Sequence, residues 1–245
     1  MGRTTLFETL RTSGLRGIFT RLHDGFIYRH HKRYNRQFDN EFDLDTEESI
    51  VLDSLDFEHP SKFDAVDYEA TPIQIVRRLI RQAKLDPKSS TFIDLGCGKG
   101  RVLIAAAQAG FANLIGVEFA KDVAETAQKN LRRAIGTTDN TNWSVETIDA
   151  GSFIPPRQDI VVFMYNPFGK SVLEPVVKWM CEHSAAGFRV EVLYYNPQHK
   201  NLFDNIERFR SQKFSVSTRF VLSILSWHDA AWYFSTHKEI DDAEH

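Results

Sequence analysis

The stretch from Thr91 to Arg101, Thr-Phe-Ile-Asp-Leu-Gly-Cys-Gly-Lys-Gly-Arg, limits the fold more than any other part of the chain. Phe92, Ile93 and Leu95 are apolar and a single acid, Asp94, interrupts them, which reads as a buried strand. Gly96, Gly98 and Gly100 then make a turn, and Val102 to Ala107 continues as an apolar helix. A strand, a glycine turn and a helix in that order form a ligand cradle. Glycines let backbone approach a ligand closely, and a helix N-terminus offers N–H groups to an anion.

The spacing narrows the choice of ligand. A dinucleotide fingerprint, G-x-G-x-x-G, needs its third glycine where Arg101 stands. A phosphate loop needs Ser or Thr after its lysine, and Lys99 is followed by Gly100. The acid at Asp94, two residues before the first glycine, does little for a pyrophosphate. It suits a cationic ligand carrying an ammonium group and a sulfonium. At these residues the chain resembles the first motif of the class I S-adenosylmethionine (SAM)-dependent methyltransferases.

From Tyr68 onward the sequence alternates strand and helix, the pattern of a parallel doubly wound sheet. Thr71-Pro72-Ile73-Gln74 reads as a capped helix start, with Thr71 as the cap and Pro72 in the first helical position. Strands are expected at Phe92–Leu95, Leu114–Val117, Trp143–Ile148, Asp159–Met164 and Val190–Tyr195. The helices between them are expected near 100–109, 122–134 and from Ser171, where Ser171 and Glu174 have capping-box spacing. A helix holding Leu202, Phe203, Ile206 and Phe209 follows the fifth strand. Phe214–Leu225 and Ala230–Ser235 are too close for a helical crossover and are expected to pair as an antiparallel hairpin around Trp227-His228-Asp229. The expected fold is therefore α/β: a doubly wound, mostly parallel seven-stranded sheet with helices on both faces and a C-terminal antiparallel hairpin. A helical N-terminal extension, residues 1–66, precedes a methyltransferase-like domain at 67–245.

That extension is basic and then acidic. Residues 1–36 carry Arg3, Arg11, Arg16, Arg21, Arg29, Lys32, Arg33 and Arg36 against Glu8 and Asp24. Leu15, Ile18, Phe19, Leu22 and Phe26 add an apolar stripe at helical spacing. Three roles fit such a segment: a helix docked on the domain, a surface for nucleic acid or an acidic partner, or a membrane-surface helix. Between Asp39 and Glu69 twelve acids face only Lys62, and one economical arrangement lays this acidic run against the basic one.

Ligands of a doubly wound sheet sit at the carboxyl ends of its strands, so the strand ends form a set of candidates. Glu118 ends the second strand, and an acid there can accept both hydroxyls of a ribose. NAD enzymes place an acid similarly, so Glu118 alone does not choose the cofactor. Asp149-Ala150 follows the third strand; by itself Asp149 is equally a turn or cap residue. The family resemblance implies that Asp149 accepts the adenine amino group and that the neighbouring backbone at Ala150 serves the ring. Cys97 within the glycine turn, Phe119 after Glu118, and Tyr68 before the capped helix complete the implied cofactor site.

Tyr165-Asn166-Pro167-Phe168-Gly169 ends the fourth strand. It resembles the Asn-Pro-Pro-aromatic motif of methyltransferases that act on nitrogen, with one proline fewer. That likeness implies that Asn166 orients an acceptor N–H group, with Tyr165 and Phe168 offering ring faces to positive charge; Asn166 also falls beside the cofactor. The whole order, from Phe42-Asp-Leu-Asp-Thr through Gly-Val-Glu-Phe to Tyr-Asn-Pro-Phe, looks like a group of bacterial class I methyltransferases.

The resemblance thus implies SAM as cofactor, S-adenosylhomocysteine (SAH) as product, and an unidentified acceptor, favouring a nitrogen of a protein or small molecule, with nucleic acid still open. Two readings compete: an NAD-type oxidoreductase and a SAM-binding protein without turnover. A net charge of −3 argues against whole-protein attraction to nucleic acid or an anionic membrane. Two cysteines, Cys97 and Cys181, make no disulfide framework, so a reducing cytoplasm is expected. The sequence shows no span of membrane length, no leader pattern and no metal-ligand spacing.

Overall fold

A computed structural model describes residues 29–47, 71–136, 141–165, 168–207, 209–215 and 229–235. Its centre is β1 (Thr91–Leu95), buried along its whole length. β2 (Asn113–Glu118) and β4 (Ile160–Tyr165) flank it, both parallel to it. β3 (Asn142–Thr147) and β5 (Val190–Tyr195) extend the parallel sheet on either side. β6 (Phe209–Ser215) and β7 (Asp229–Ser235) add an antiparallel pair, with β7 against β5. The sheet order is β3-β2-β1-β4-β5-β7-β6. The strand order reverses at β1, so its carboxyl end lies where such sheets open a ligand crevice.

Side-chain alternation splits the core into two layers. Phe92, Val161 and Phe163 point into one layer with Leu79, Leu103 and Leu131. These last three come from α2 (Ile73–Ile80), α3 (Arg101–Gln108) and α4 (Lys121–Ile135). Ile93, Leu95, Val162 and Met164 point the other way, onto α5 (Lys170–Ala185) and Phe203 of the short α6 (Asn201–Asp204).

A further helix, α1 (29–42), packs on the first layer through Phe38. Asn35, Phe38 and Asp39 are buried at helical spacing, while Arg29, Lys32, Arg33, Arg36, Gln37 and Asn40 line an open groove on its other side. Its end is marked by Asp43 at φ 52° and by a hydrogen bond from the Leu44 N–H to the Asp39 carbonyl. This left-handed turn sends the chain back across the domain.

Several local expectations need correction. Thr71 does not cap α2. Pro72 occupies the cap position without a side-chain bond, and the Ile73 N–H donates instead to Asn35 Oδ1 at 3.1 Å. α5 starts after Gly169, again without a side-chain cap, and Glu174 pairs with Lys170. Phe209 is not helical: α6 stops at Asp204 and Phe209 opens β6. The hairpin's first strand therefore starts at Phe209, ahead of the expected Phe214, with Ser215 opposite Asp229, and residues 216–225 of the expected strand lie outside the described residues. Tertiary pairing with β7 decides this, since aromatic residues at helical spacing also serve a strand packed on one face. The expected turn at Trp227-His228 and the apolar stripe at residues 15–26 lie outside the described residues.

Of the acidic run, the described residues 39–47 divide their partners between the basic stretch and the sheet domain. Glu47 does pair with Arg36 of the basic stretch, at 3.1 Å. Asp39, Asp43 and Asp45 instead pair with Arg101, Arg133 and Lys99 of the sheet domain. Two of those three cations belong to the glycine turn, where the carboxylates gain buried partners.

Candidate active site

The turn after β1 is tight because its glycines permit it. Gly96, Gly98 and Gly100 take φ of 74°, 51° and 85°, conformations that strain any residue with a Cβ. The turn folds back onto β2: the N–H groups of Gly96 and Cys97 donate to the Val117 carbonyl at 2.9 and 3.0 Å. Room for this comes from Gly116, where a Cβ would come within 2.8 Å of both Cys97 Sγ and Leu103 Cδ1.

Glu118, at the end of β2, holds the turn in place. Its two carboxylate oxygens accept from the N–H groups of Gly98 and Ala120, each at 3.0 Å. Two carboxylate oxygens offer about four acceptor directions, so the pair keeps capacity for a ligand hydroxyl beyond its backbone donors. Burial raises the Glu118 acid above its usual range, and the N–H groups of Ala120, Gly98 and Phe119 partly offset that. Asp94 is only 2% exposed, and its Oδ2 has no hydrogen-bond partner among the described residues. Burial first, and the Glu118 charge second, push it well above the usual carboxylate range. A buried acid with an unsatisfied oxygen is a standing demand for a cation or a donor. The Cys97 thiol is raised for the same reasons, by burial and by both acids, which keeps it protonated and inert.

Beside the turn lies a narrow recess lined by Gly96, Val117, Phe119, Ile148, Asp149, Ala150 and Phe168. Its walls are mostly apolar with one acid, which suits a flat heteroaromatic ring bearing an amino group. Asp149 caps the 3-10 turn Ala150–Ser152 by accepting from the Gly151 N–H at 2.8 Å. Trp179 Nε1 donates to the Ala150 carbonyl at 3.2 Å and fixes that turn against α5.

Asp94, Gly96, Cys97, Gly98, Gly100, Glu118, Phe119, Asp149 and Ala150 thus converge at the carboxyl edge of β1, β2 and β3. From the catalytic set, Phe168 reaches the recess, while Tyr165 ends β4 with its ring 4.6 Å from that of Tyr195. Tyr68 and Asn166 lie outside the described residues. Together these features fit SAM: a cationic group for Asp94, a diol for Glu118, a ring for the recess.

Sequence reasoning missed a second group of residues around the same turn. Arg101, noted there only as the absent third glycine, is 2% exposed. Its Nε donates to Thr46 Oγ1 at 2.7 Å, its Nη1 to the Thr71 carbonyl, and its Nη2 lies 3.3 Å from Asp39 Oδ1. Lys99 Nζ lies 3.0 Å from Asp45 Oδ1. Asn130 of α4 then staples both segments: its Nδ2 donates to the carbonyls of Asp45 and Lys99, and its Oδ1 accepts from the Asp45 N–H. Residues 39–46 form a strap across the base of the glycine turn. A buried arginine must find a carboxylate, and that requirement was the available signal.

Among the described residues no group of three or more His, Cys, Asp or Glu is placed to hold a metal ion, and no helix is long and apolar enough to cross a membrane.

Residues 92–187 match the methyltransferase domain family. No curated protein matches the sequence. Among solved structures, the chain is similar to a putative methyltransferase from Escherichia coli, with 14% identity, 67% of this chain and 87% of that one covered, and a TM-score of 0.49. It is also similar to a putative RNA methyltransferase from Pyrococcus horikoshii, with 21% identity, coverage of 75% and 94%, and a TM-score of 0.47. A third is the magnesium protoporphyrin IX methyltransferase from Synechocystis, solved with SAM bound, at 16% identity, coverage of 66% and 77%, and a TM-score of 0.46. The matched residues hold the glycine turn, Glu118 and Asp149, so the part of the chain that builds the candidate site is the part similar to a methyltransferase domain.

Proposed function

We propose that the chain transfers the methyl group of SAM to a nitrogen atom of a protein or small molecule. The observation that carries this reading is the placement of Tyr165 and Phe168. They bracket Asn166-Pro167 at the carboxyl end of β4, and Phe168 shares the recess with Gly96 and Asp149.

Bound SAM supplies a methyl group activated by the positive sulfur beside it. The protein's share is positioning, which alone can account for most of the rate of a direct displacement. Asp94 receives the ammonium group through its unpartnered oxygen, and Glu118 accepts the ribose hydroxyls. Asp149 takes the adenine amino group, with Ala150 at the ring. Cys97 and Phe119 pack around the ligand, and Tyr68 closes over it. Asn166 accepts a hydrogen bond from the acceptor N–H, which turns the nitrogen lone pair toward the methyl group. Tyr165 and Phe168 present ring faces to the positive charge at the reacting centre.

Calorimetry and labelled-methyl transfer into fractionated lysate test this together. Asp94→Ala and Glu118→Ala are each expected to weaken SAH binding at least tenfold, about 1.4 kcal/mol. Asn166→Ala should leave SAH affinity within threefold and cut methyl transfer by about a hundredfold, the scale of one lost positioning contact. The labelled product should resist mild base, as N-methyl groups do and methyl esters do not. A base-labile product, or Asn166→Ala at full activity, removes the nitrogen assignment.

A further inference from the structure

The exposed face of α1 takes no part in the cofactor site. Phe38, Asp39 and Phe42 lie on the side of the helix that packs against the domain. Opposite them stand Arg29, Lys32, Arg33, Arg36, Gln37 and Asn40, which line the open groove. They fall at i, i+3, i+4, i+7, i+8 and i+11, so one face gathers four cations and two amides. Arg36 pairs with Glu47 at 3.1 Å, yet its side chain remains 62% exposed. Arg29 and Arg33 are exposed and form no ion pair among the described residues. The exposed acid along α1 is Glu41, one against those four cations. Tyr34 stands on the neighbouring stripe, 40% exposed, with the His30 ring 4.8 Å away. Among the described residues only Tyr34 and Ile154 expose a large apolar side chain.

We propose that this face of α1 binds a single-stranded polynucleotide, with Arg29, Arg33 and Arg36 on its phosphates and Tyr34 under a base. A guanidinium fork matches phosphate oxygens two at a time. From Arg29 to Arg36 the helix rises two turns, about 10.5 Å, so the three arginines follow a strand rather than enclose a single anion. The bases of a single strand are open and need a platform, which an exposed aromatic beside arginines supplies. Gln37 and Asn40 add amides that both donate and accept, as base edges require. An acidic peptide would engage the cations and leave Tyr34 and the amides without a role. The chain's net charge of −3 is no obstacle, because charges beyond about 8 Å are largely screened at physiological salt. Such a strand is held beside the enzyme whatever atom receives the methyl group, so its binding is measured without SAM or SAH.

Fluorescence anisotropy of the full-length protein with labelled oligo-uridylate of about 12 nucleotides is the test. Binding is expected at low salt and should weaken about twentyfold between about 50 and 200 mM, as three phosphate contacts require. Arg29→Gln combined with Arg33→Gln should weaken it at least tenfold and reduce that salt effect to about threefold. Tyr34→Ala should weaken it at least fivefold and leave the salt effect as it was. These side chains are exposed, so unchanged thermal melting of each variant separates a lost contact from a lost fold. Oligo-deoxythymidylate bound with the same dependence on Tyr34 supports the proposal for either sugar. Polyglutamate displacing the strand at equal charge overturns it in favour of an acidic protein partner. Tyr34→Ala at wild-type affinity overturns it as well, since the face would then read charge alone. So does the absence of binding at low salt.

Discussion

Asp94 and Glu118 put the site under a pH constraint. Burial raises both acids in the folded protein, so the fold retains protons that the unfolded chain has already given up. Between the ordinary carboxylate range and the raised values, the unfolded state binds fewer protons than the native one. Stability of the ligand-free protein therefore falls as pH rises through that window and is highest on its acid side. A ligand ammonium group favours the ionised acids, so SAH binding must release protons. Titrations at mildly acid pH in two buffers of different ionisation enthalpy should give different apparent heats, with affinity falling as pH falls. A buffer-independent heat would mean that neither acid titrates on binding. At this scale the sequence was informative, because Asp94, Glu118 and Asp149 each mark a strand end. Arg101 was legible only as a missing glycine, since its partner Asp39 lies 62 residues upstream and no local pattern links them.

The elements were mostly legible too, with a few errors at their ends. α2 begins within two residues of the Thr71-Pro72 signal, yet its cap is Asn35, 38 residues earlier. Proline at the cap position and a buried first turn leave the Ile73 N–H dependent on that single side chain. Asn35→Ala should cost about 0.5–2 kcal/mol, the usual range for a lost N-cap. In a chain of this length that lowers Tm by about 2–4 °C per kcal/mol, which calorimetric melting will show. An unchanged Tm would mean that another acceptor replaces Asn35. Phe209 shows the opposite difficulty. With Leu202, Phe203 and Ile206 it satisfies helical spacing, and only its pairing opposite Ser235 makes it a strand residue. β6 earns its conformation from β7 rather than from its own residues.

On the scale of the whole molecule, the sheet order and the strap divide the labour. The reversal of strand order at β1 opens a crevice at that strand's carboxyl end, and Gly96, Phe119, Asp149 and Phe168 line a recess there. The strap settles the back of the same turn. Its contacts span 54 residues from Asp45 to Lys99, 55 from Thr46 to Arg101 and 85 from Asp45 to Asn130. Contacts this distant in sequence must close long loops before they return any free energy. Although the strap leaves the ribosome first, its docking ground does not exist until α4 has been made and packed. It is expected to close last, over a sheet already formed. Asp45→Asn should then speed unfolding and leave the refolding rate nearly unchanged in stopped-flow experiments, as for any contact formed after the rate-limiting step. A variant that slowed refolding instead would place the strap in the nucleus. In the expected order, the cradle around Asp94 and Glu118 is built first and is braced only when the segment at 39–46 folds back onto it.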